Sequence, residues 1–213
     1  MRQTFNGTRK RVFIVHGWGA DSSADWFPWL KRQLEKRGFE VFVPDMPDTE
    51  NPRIKEWVSY LGKLIGGADK NTYLIGHSIG GQTIMRYLER LAPNEKIGGS
   101  VFVAGWFYLD NLKEEEKPIA KPWLETPINF KKINRACDKF IVFLSDNDPF
   151  GALEKNKKIF EEKLGAKVII EHNKGHLGGD DDFTKLPSVL QAVLDFSTII
   201  EKLNPLDVKI FNN

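Results

Sequence analysis

The chain holds 213 residues, a length that fits one compact domain, with 31 Lys and Arg against 29 Asp and Glu and a formal net charge of +2. So balanced a charge leaves no basic footprint for nucleic acid, and 41% hydrophobic residues with 15 Phe and 6 Trp exclude a disordered or low-complexity chain. The single cysteine, Cys137, excludes an internal disulfide and every thiolate zinc motif, and the polar stretch from Met1 to Arg11 offers neither a signal-peptide core nor a membrane span.

In chain order, the first apolar run is Val12 to Val15, predicted as a buried strand, and glycine-rich His16-Gly17-Trp18-Gly19 follows it. Trp26, Trp29, Leu30 and Leu34 then form a stripe at helical spacing, ahead of a second strand over Phe39 to Val43. Ile54, Trp57, Val58, Leu61, Leu64 and Ile65 repeat at i, i+3, i+4, i+7 and predict an amphipathic helix. Strands over Tyr73 to Ile75 and Val101 to Val103 bracket a helical stripe of Ile84, Tyr87, Leu88 and Leu91. The segment 105–139 breaks this rhythm. It carries Pro118, Pro122 and Pro127 together with Trp106, Phe107, Tyr108, Trp123 and Phe130, and reads as a short excursion over the top of the sheet. Strands over Phe140 to Leu144 and Val168 to Ile170 follow. A last helix begins at Pro187, with Leu186, Val189, Leu190, Val193 and Ile200 as its stripe and Pro205 beyond its end.

Strands that alternate with helices must lie parallel, joined by right-handed crossovers and covered on both faces. The expected architecture is therefore a single α/β domain over 1–213, a three-layer sandwich with a mostly parallel central sheet of fully buried strands. Its active site belongs at the carboxyl ends of the strands. A soluble, cytoplasmic protein is expected, with a monomer compatible and the oligomeric state open. The sequon Asn6-Gly7-Thr8 then carries no function.

Gly76-His77-Ser78-Ile79-Gly80 is a G-x-S-x-G placed directly after a strand and directly before a helix. In such a turn the serine projects its hydroxyl above the sheet, and the flanking glycines let strand and helix approach closely. No G-x-G-x-x-G is present, so a dinucleotide fingerprint does not compete. A serine hydroxyl needs a base within reach, and the base needs a carboxylate to fix its tautomer. Of four histidines, His176 lies on a glycine-rich loop ahead of the last helix and is the preferred base, with His172 nearer the strand end as the alternative. The acid follows the strand over Phe140 to Leu144, in Ser145-Asp146-Asn147-Asp148-Pro149-Phe150. Asp148 is preferred over Asp146, although both residues also suit a turn. Ser78, Asp148 and His176 thus follow one another as nucleophile, acid and base. Backbone N–H groups of Ile79 and Trp18 are the expected oxyanion donors.

A metal site built on His172 and His176, with Glu171 and Asp180 to Asp182 nearby, is disfavoured. Gly175, Gly178 and Gly179 argue against a helix there, and no H-E-x-x-H is present; the three aspartates read as a solvated acidic turn.

With these residues in place, the chain resembles the α/β-hydrolase superfamily and, within it, the small serine hydrolases of the retinoblastoma-binding protein 9 type. The likeness runs through His16 to Gly19, Pro44-Asp45-Met46-Pro47, the Gly76 to Gly80 elbow, Val103-Ala104-Gly105, Pro127 to Ile133, Asp146 to Phe150 and Gly175-His176. It implies a compact α/β-hydrolase fold with a minimal cap, and a triad of Ser78, Asp148 and His176 that cleaves small esters or amides without a cofactor or metal. A pocket-protein partner is not implied, because Arg135 and Lys139 flank Cys137 where L-x-C-x-E needs Leu and Glu. Trp18, Trp106, Phe107 and Trp123 are the expected walls of a small apolar substrate pocket. The competing expectation is a hydrolase scaffold retained as a partner- or ligand-binding module.

Overall fold

The computed structural model describes residues 9–178 and 183–203. Asn6-Gly7-Thr8, Gly179, the Asp180 to Asp182 turn, Pro205 and the side chain of Ile200 lie outside the described residues. Six strands form one sheet: β1 (Arg11–Val15), β2 (Glu40–Phe42), β3 (Thr72–His77), β4 (Gly99–Val103), β5 (Phe140–Ser145) and β6 (Lys167–Glu171). Their spatial order is β2-β1-β3-β4-β5-β6 and every pairing is parallel, where the sequence predicted a mostly parallel sheet. The chain leaves β1 toward one edge and returns to the other side of it at β3, so the strand order reverses there. A crevice at the carboxyl ends of the strands follows from that reversal.

Alternation along the strands divides the core. Phe13 and Val15 of β1, Leu74 of β3, Phe102 of β4 and Val142 of β5 face α2 (Ile54–Ile65), α3 (Ile79–Leu88) and α6 (Leu153–Leu164). Val12, Ile14, Tyr73, Ile75, Val101 and Phe143 face α1 (Phe27–Glu35) and α7 (Pro187–Leu203). Each large side chain fully buried in these layers contributes roughly 1.5–3 kcal/mol of transfer free energy, which is why short Val, Ile and Phe runs suffice to build the sheet. The expectation of uniformly buried strands fails at the edges. β6 has one exposed and four partly buried residues, because an edge strand has a neighbour on one side only.

The 105–139 segment divides in two. Its first part stays at the carboxyl ends of the strands. Its second part comes down on the α2/α3 face as α4 (Lys117–Glu125) and α5 (Phe130–Ala136), so the excursion only begins over the top of the sheet. Trp123 carries it there: its indole is 2% exposed, donates to Pro52 O at 2.9 Å and meets the Trp57 ring edge-on. Arg86 of α3 fixes the end of α4, with Nη2 donating to Trp123 O at 2.8 Å and to Thr126 O at 3.0 Å. Burial lowers the pKa of that guanidinium to about 10, and it remains charged at neutral pH.

Candidate active site

At the end of β3 the backbone turns through Ser78 at φ 51° and ψ −121°, a conformation that side chains rarely adopt. The turn survives because its neighbours leave no room for anything larger. A Cβ on Gly76 would lie 2.5 Å from Gly81 N, and one on Gly80 would lie 2.2 Å from Val15 O and 2.7 Å from His16 O. These two glycines let α3 run beneath the loop that follows β1. Ser78 N donates to Val103 O at 2.9 Å, which pins the turn to β4. Ile79, the first residue of α3, has an N–H with no acceptor inside its own helix.

The loop after β1 is held by His16. Its Nδ1–H donates to Gly17 O at 2.8 Å and its Nε2 accepts from Met46 N–H at 2.9 Å, so both partners select the neutral imidazole. Burial likewise lowers its pKa. Trp18 Nε1 donates to Glu50 O at 2.9 Å, and a Cβ on Gly17 would stand 3.5 Å from Ser78 Cβ. The loop therefore passes directly against the serine.

The loops after β5 and β6 are laced together residue by residue. His176 Nδ1 lies 2.9 Å from Asp148 Oδ2, with side chains 15% and 16% exposed. Gly175 N donates to Asn147 Oδ1 at 2.8 Å, Lys174 N to Ser145 Oγ at 3.0 Å and Asn173 N to Asp146 Oδ1 at 2.8 Å. His172 Nδ1 meets Asp146 Oδ2 at 2.6 Å. The Asn173 and His172 hydrogen bonds hold the Asp146 carboxyl below its ordinary pKa. A carboxylate on Nδ1 of His176 selects the tautomer whose Nε2 carries a lone pair, the form that accepts a proton. Ser78, His176, Gly17, Trp18 and Phe150 line one cleft of about 760 Å³.

The chain that carries this site has counterparts among known proteins. The family model described as serine hydrolase matches residues 12–195. The chain belongs to the serine hydrolase family. This serine hydrolase is 29% identical over 188 residues to YdeN of Bacillus subtilis (strain 168), a protein named as a hydrolase, covering 88% of this chain and 96% of that one. It is 27% identical over 187 residues to the serine hydrolase RBBP9 of Rattus norvegicus, covering 87% and 95%. The crystal structure of the ydeN gene product from B. subtilis superposes with a TM-score of 0.81 at 28% identity, over 89% of this chain and 99% of that one. The resemblance to the retinoblastoma-binding protein 9 type and the α/β-hydrolase fold are both supported by these relatives.

Within this serine hydrolase, the predicted aromatic pocket needs correction. Trp18 lines the cleft, and Trp106 lines a niche beside Asp148 and His176 with its indole N–H 3.4 Å from Ser78 Oγ. Phe107 instead packs on Phe130 and Phe160, and Trp123 lies in the α4 contact described above. Trp123 is core and Phe107 packs partly buried against the core, because neighbouring helices offer large apolar rings more dry contact area than the strand ends do. The niche, lined also by Leu109, Leu144 and Leu153, has about 10 Å³ of space, room for about one water. The open cleft is mixed in character, with Asn111, Lys113 and Glu116 on its far wall. Asp146 and His172 pair with each other on the exposed side.

Two features of the site escaped the sequence. Asn147 and Ser145 look like ordinary turn residues until the facing loop is placed against them. His77 looks like the variable position of the G-x-S-x-G, although strand parity with Tyr73 and Ile75 already puts it on the α1/α7 face.

Proposed function

We propose that this serine hydrolase cleaves small carboxylic esters through an acyl-enzyme intermediate. Ser78 is the nucleophile, His176 the general base and Asp148 the residue that orients and stabilises the imidazolium. The observation that carries the reading is the 2.9 Å contact of Asp148 with Nδ1 of a histidine that shares a cleft with the elbow serine. His176 Nε2 takes the Ser78 hydroxyl proton as Oγ attacks the acyl carbonyl, and returns it to the departing alkoxide as the alcohol leaves. Water then repeats the sequence on the acyl-serine and releases the acid. The N–H groups of Ile79 and Trp18 receive the oxyanion, a position favoured by the close passage of the β1 loop over the start of α3. Every group this requires is a side chain or amide of the chain, so no cofactor or metal enters the scheme. With the niche sized for about one water, the acyl group lies in the open cleft, where short chains and polar esters are accommodated. Amides are poorer substrates in this reading, since an amine leaves less readily than an alcohol.

The test is covalent labelling by a fluorophosphonate at neutral pH, read as intact mass. One adduct on the parent and none on Ser78→Ala, with turnover of nitrophenyl acetate and butyrate lost in the same variant, is the expected result. A parent protein that takes no adduct and turns over no ester removes the acyl-enzyme scheme.

A further inference from the structure

We propose that His77, the residue before the nucleophile, is a positioning residue for the base: its imidazole ties the main chain of His176 to the elbow that carries Ser78. This rests on the reading of His176 as general base. His77 Nε2 lies 2.9 Å from His176 O, and a carbonyl can only accept, so Nε2 carries the proton and donates. The ring is 4% exposed and stands edge-on to the His176 imidazole at 5.1 Å. Trp26 and Phe27 enclose it from the α1 side at 6.3 and 6.1 Å.

A bland role as core filler does not suit this residue. The other ring nitrogen, Nδ1, is buried with no hydrogen-bond partner among the described residues, and burying an unsatisfied acceptor is unfavourable where Phe would fill the same space without that penalty. Burial also lowers its pKa to about 3, so the ring is a neutral donor at neutral pH. The polar atom that is used goes to the main chain of the one residue whose placement sets the chemistry.

That main chain needs outside support. Asn173, Gly175 and Leu177 all have positive φ, so neither a helix nor a strand holds the loop. Besides one main-chain bond inside the loop, Leu177 N to Lys174 O at 3.0 Å, its described polar contacts come from side chains on other elements. Lys174 N and Gly175 N bond to Ser145 and Asn147, Leu177 O accepts from Trp26 Nε1 at 2.9 Å, and His176 O accepts from His77. Of these supports, only His77 is covalently adjacent to the nucleophile. It also touches the third loop of the site, since a Cβ on Gly17 would meet Nδ1 at 2.9 Å. One ring thus spaces the β1 loop, the serine and the base.

Two variants separate positioning from folding. His77→Phe keeps the buried ring and removes the donor, and His77→Gln places an amide N–H near the position of Nε2. Each is measured for thermal stability, kcat and KM on a nitrophenyl ester, fluorophosphonate labelling rate, and the low-field proton resonance of the His176 Nδ1–H. The expected result for His77→Phe is a folded protein whose kcat and labelling rate fall about 10- to 100-fold with KM within about twofold, because small misplacements of a base have effects of that size. Its His176 resonance broadens or disappears, and His77→Gln recovers most of both losses. Parental kcat and an unchanged resonance in His77→Phe overturn the proposal, as does a folded His77→Gln that is no better than His77→Phe. If the parent itself is neither labelled nor active, the hydrolytic reading has failed separately. The His176 resonance then decides alone: lost in His77→Phe it supports the tie, and retained it overturns it.

Discussion

Asp148 meets His176 at 2.9 Å with both side chains about one-sixth exposed, whereas Asp146, two residues earlier on the same loop, meets His172 at 2.6 Å with His172 78% exposed. The shorter contact is the less consequential one, because an ion pair in water contributes about 0–1 kcal/mol and orients nothing in the cleft. Asp148→Asn is therefore expected to lower kcat by about 10³- to 10⁴-fold, as loss of the tautomer-fixing carboxylate does elsewhere. Asp146→Asn and His172→Gln are expected to stay within about fivefold of the parent and within about 1 kcal/mol in stability. Steady-state kinetics on one ester decides it, and a dead His172→Gln would move the base to His172.

Asn147 accepts from Gly175 N and from Ser145 Oγ, so its removal leaves a main-chain donor beside His176 without its partner. Asn147→Ala is expected to cost about 1–3 kcal/mol in urea unfolding and to lower kcat. Asn147→Asp keeps the acceptor and should recover most of the kcat. Equal kcat losses in the two variants would show that the Gly175 contact does not place His176.

Two buried imidazoles give stability a pH dependence of known sign. His16 and His77 both have pKa values lowered by burial, His77 to about 3, against an ordinary value near 6.5 in the unfolded chain. As pH falls below 6.5 the unfolded state takes up protons first, so the stability both rings contribute is complete above that pH and is lost below it, for His77 progressively toward 3. For His77 alone the loss at pH 5 is about 2 kcal/mol. Urea midpoints at pH 7.5 and 5.0 measure it. His77→Phe should flatten the difference by its share, and a midpoint indifferent to pH over that interval would mean that neither ring is buried neutral.

The elbow glycines should differ sharply from those at the surface. Gly80→Ala places a methyl 2.2 Å from Val15 O, a backbone atom with no freedom to retreat, and is expected to destabilise by about 3 kcal/mol or more. Gly67→Ala meets nothing within 4 Å and should be neutral or stabilising by about 0.5 kcal/mol. Thermal melts of the two variants compare them directly.

These contrasts show where the sequence is informative. Val12 to Val15 or Phe140 to Leu144 announce strands because a buried parallel strand needs nothing but its own apolar run. Ser78 is legible because its strained turn demands glycines at fixed neighbouring positions, so the constraint is written locally. Trp123 is illegible for the opposite reason. Its indole is equally content in a pocket wall or beneath α4, and Pro52, Trp57 and Arg86, far away in the chain, decide between them. The lacing of Ser145 and Asn147 onto 174–175 escapes notice likewise, since each half is an ordinary polar loop.

The cleft above Ser78 is walled on one side by Asn111 and Lys113, both exposed, and its volume of about 760 Å³ exceeds what a short acyl chain fills. Among the described residues nothing closes over Ser78, so an acyl group carried there would remain in contact with solvent. Competition between water and any added alcohol for that group would follow their bulk concentrations. In the proposed acyl-enzyme scheme, hydrolysis would then prevail over acyl transfer by mass action alone, and a long chain would be discriminated at the rim, where it would project outward.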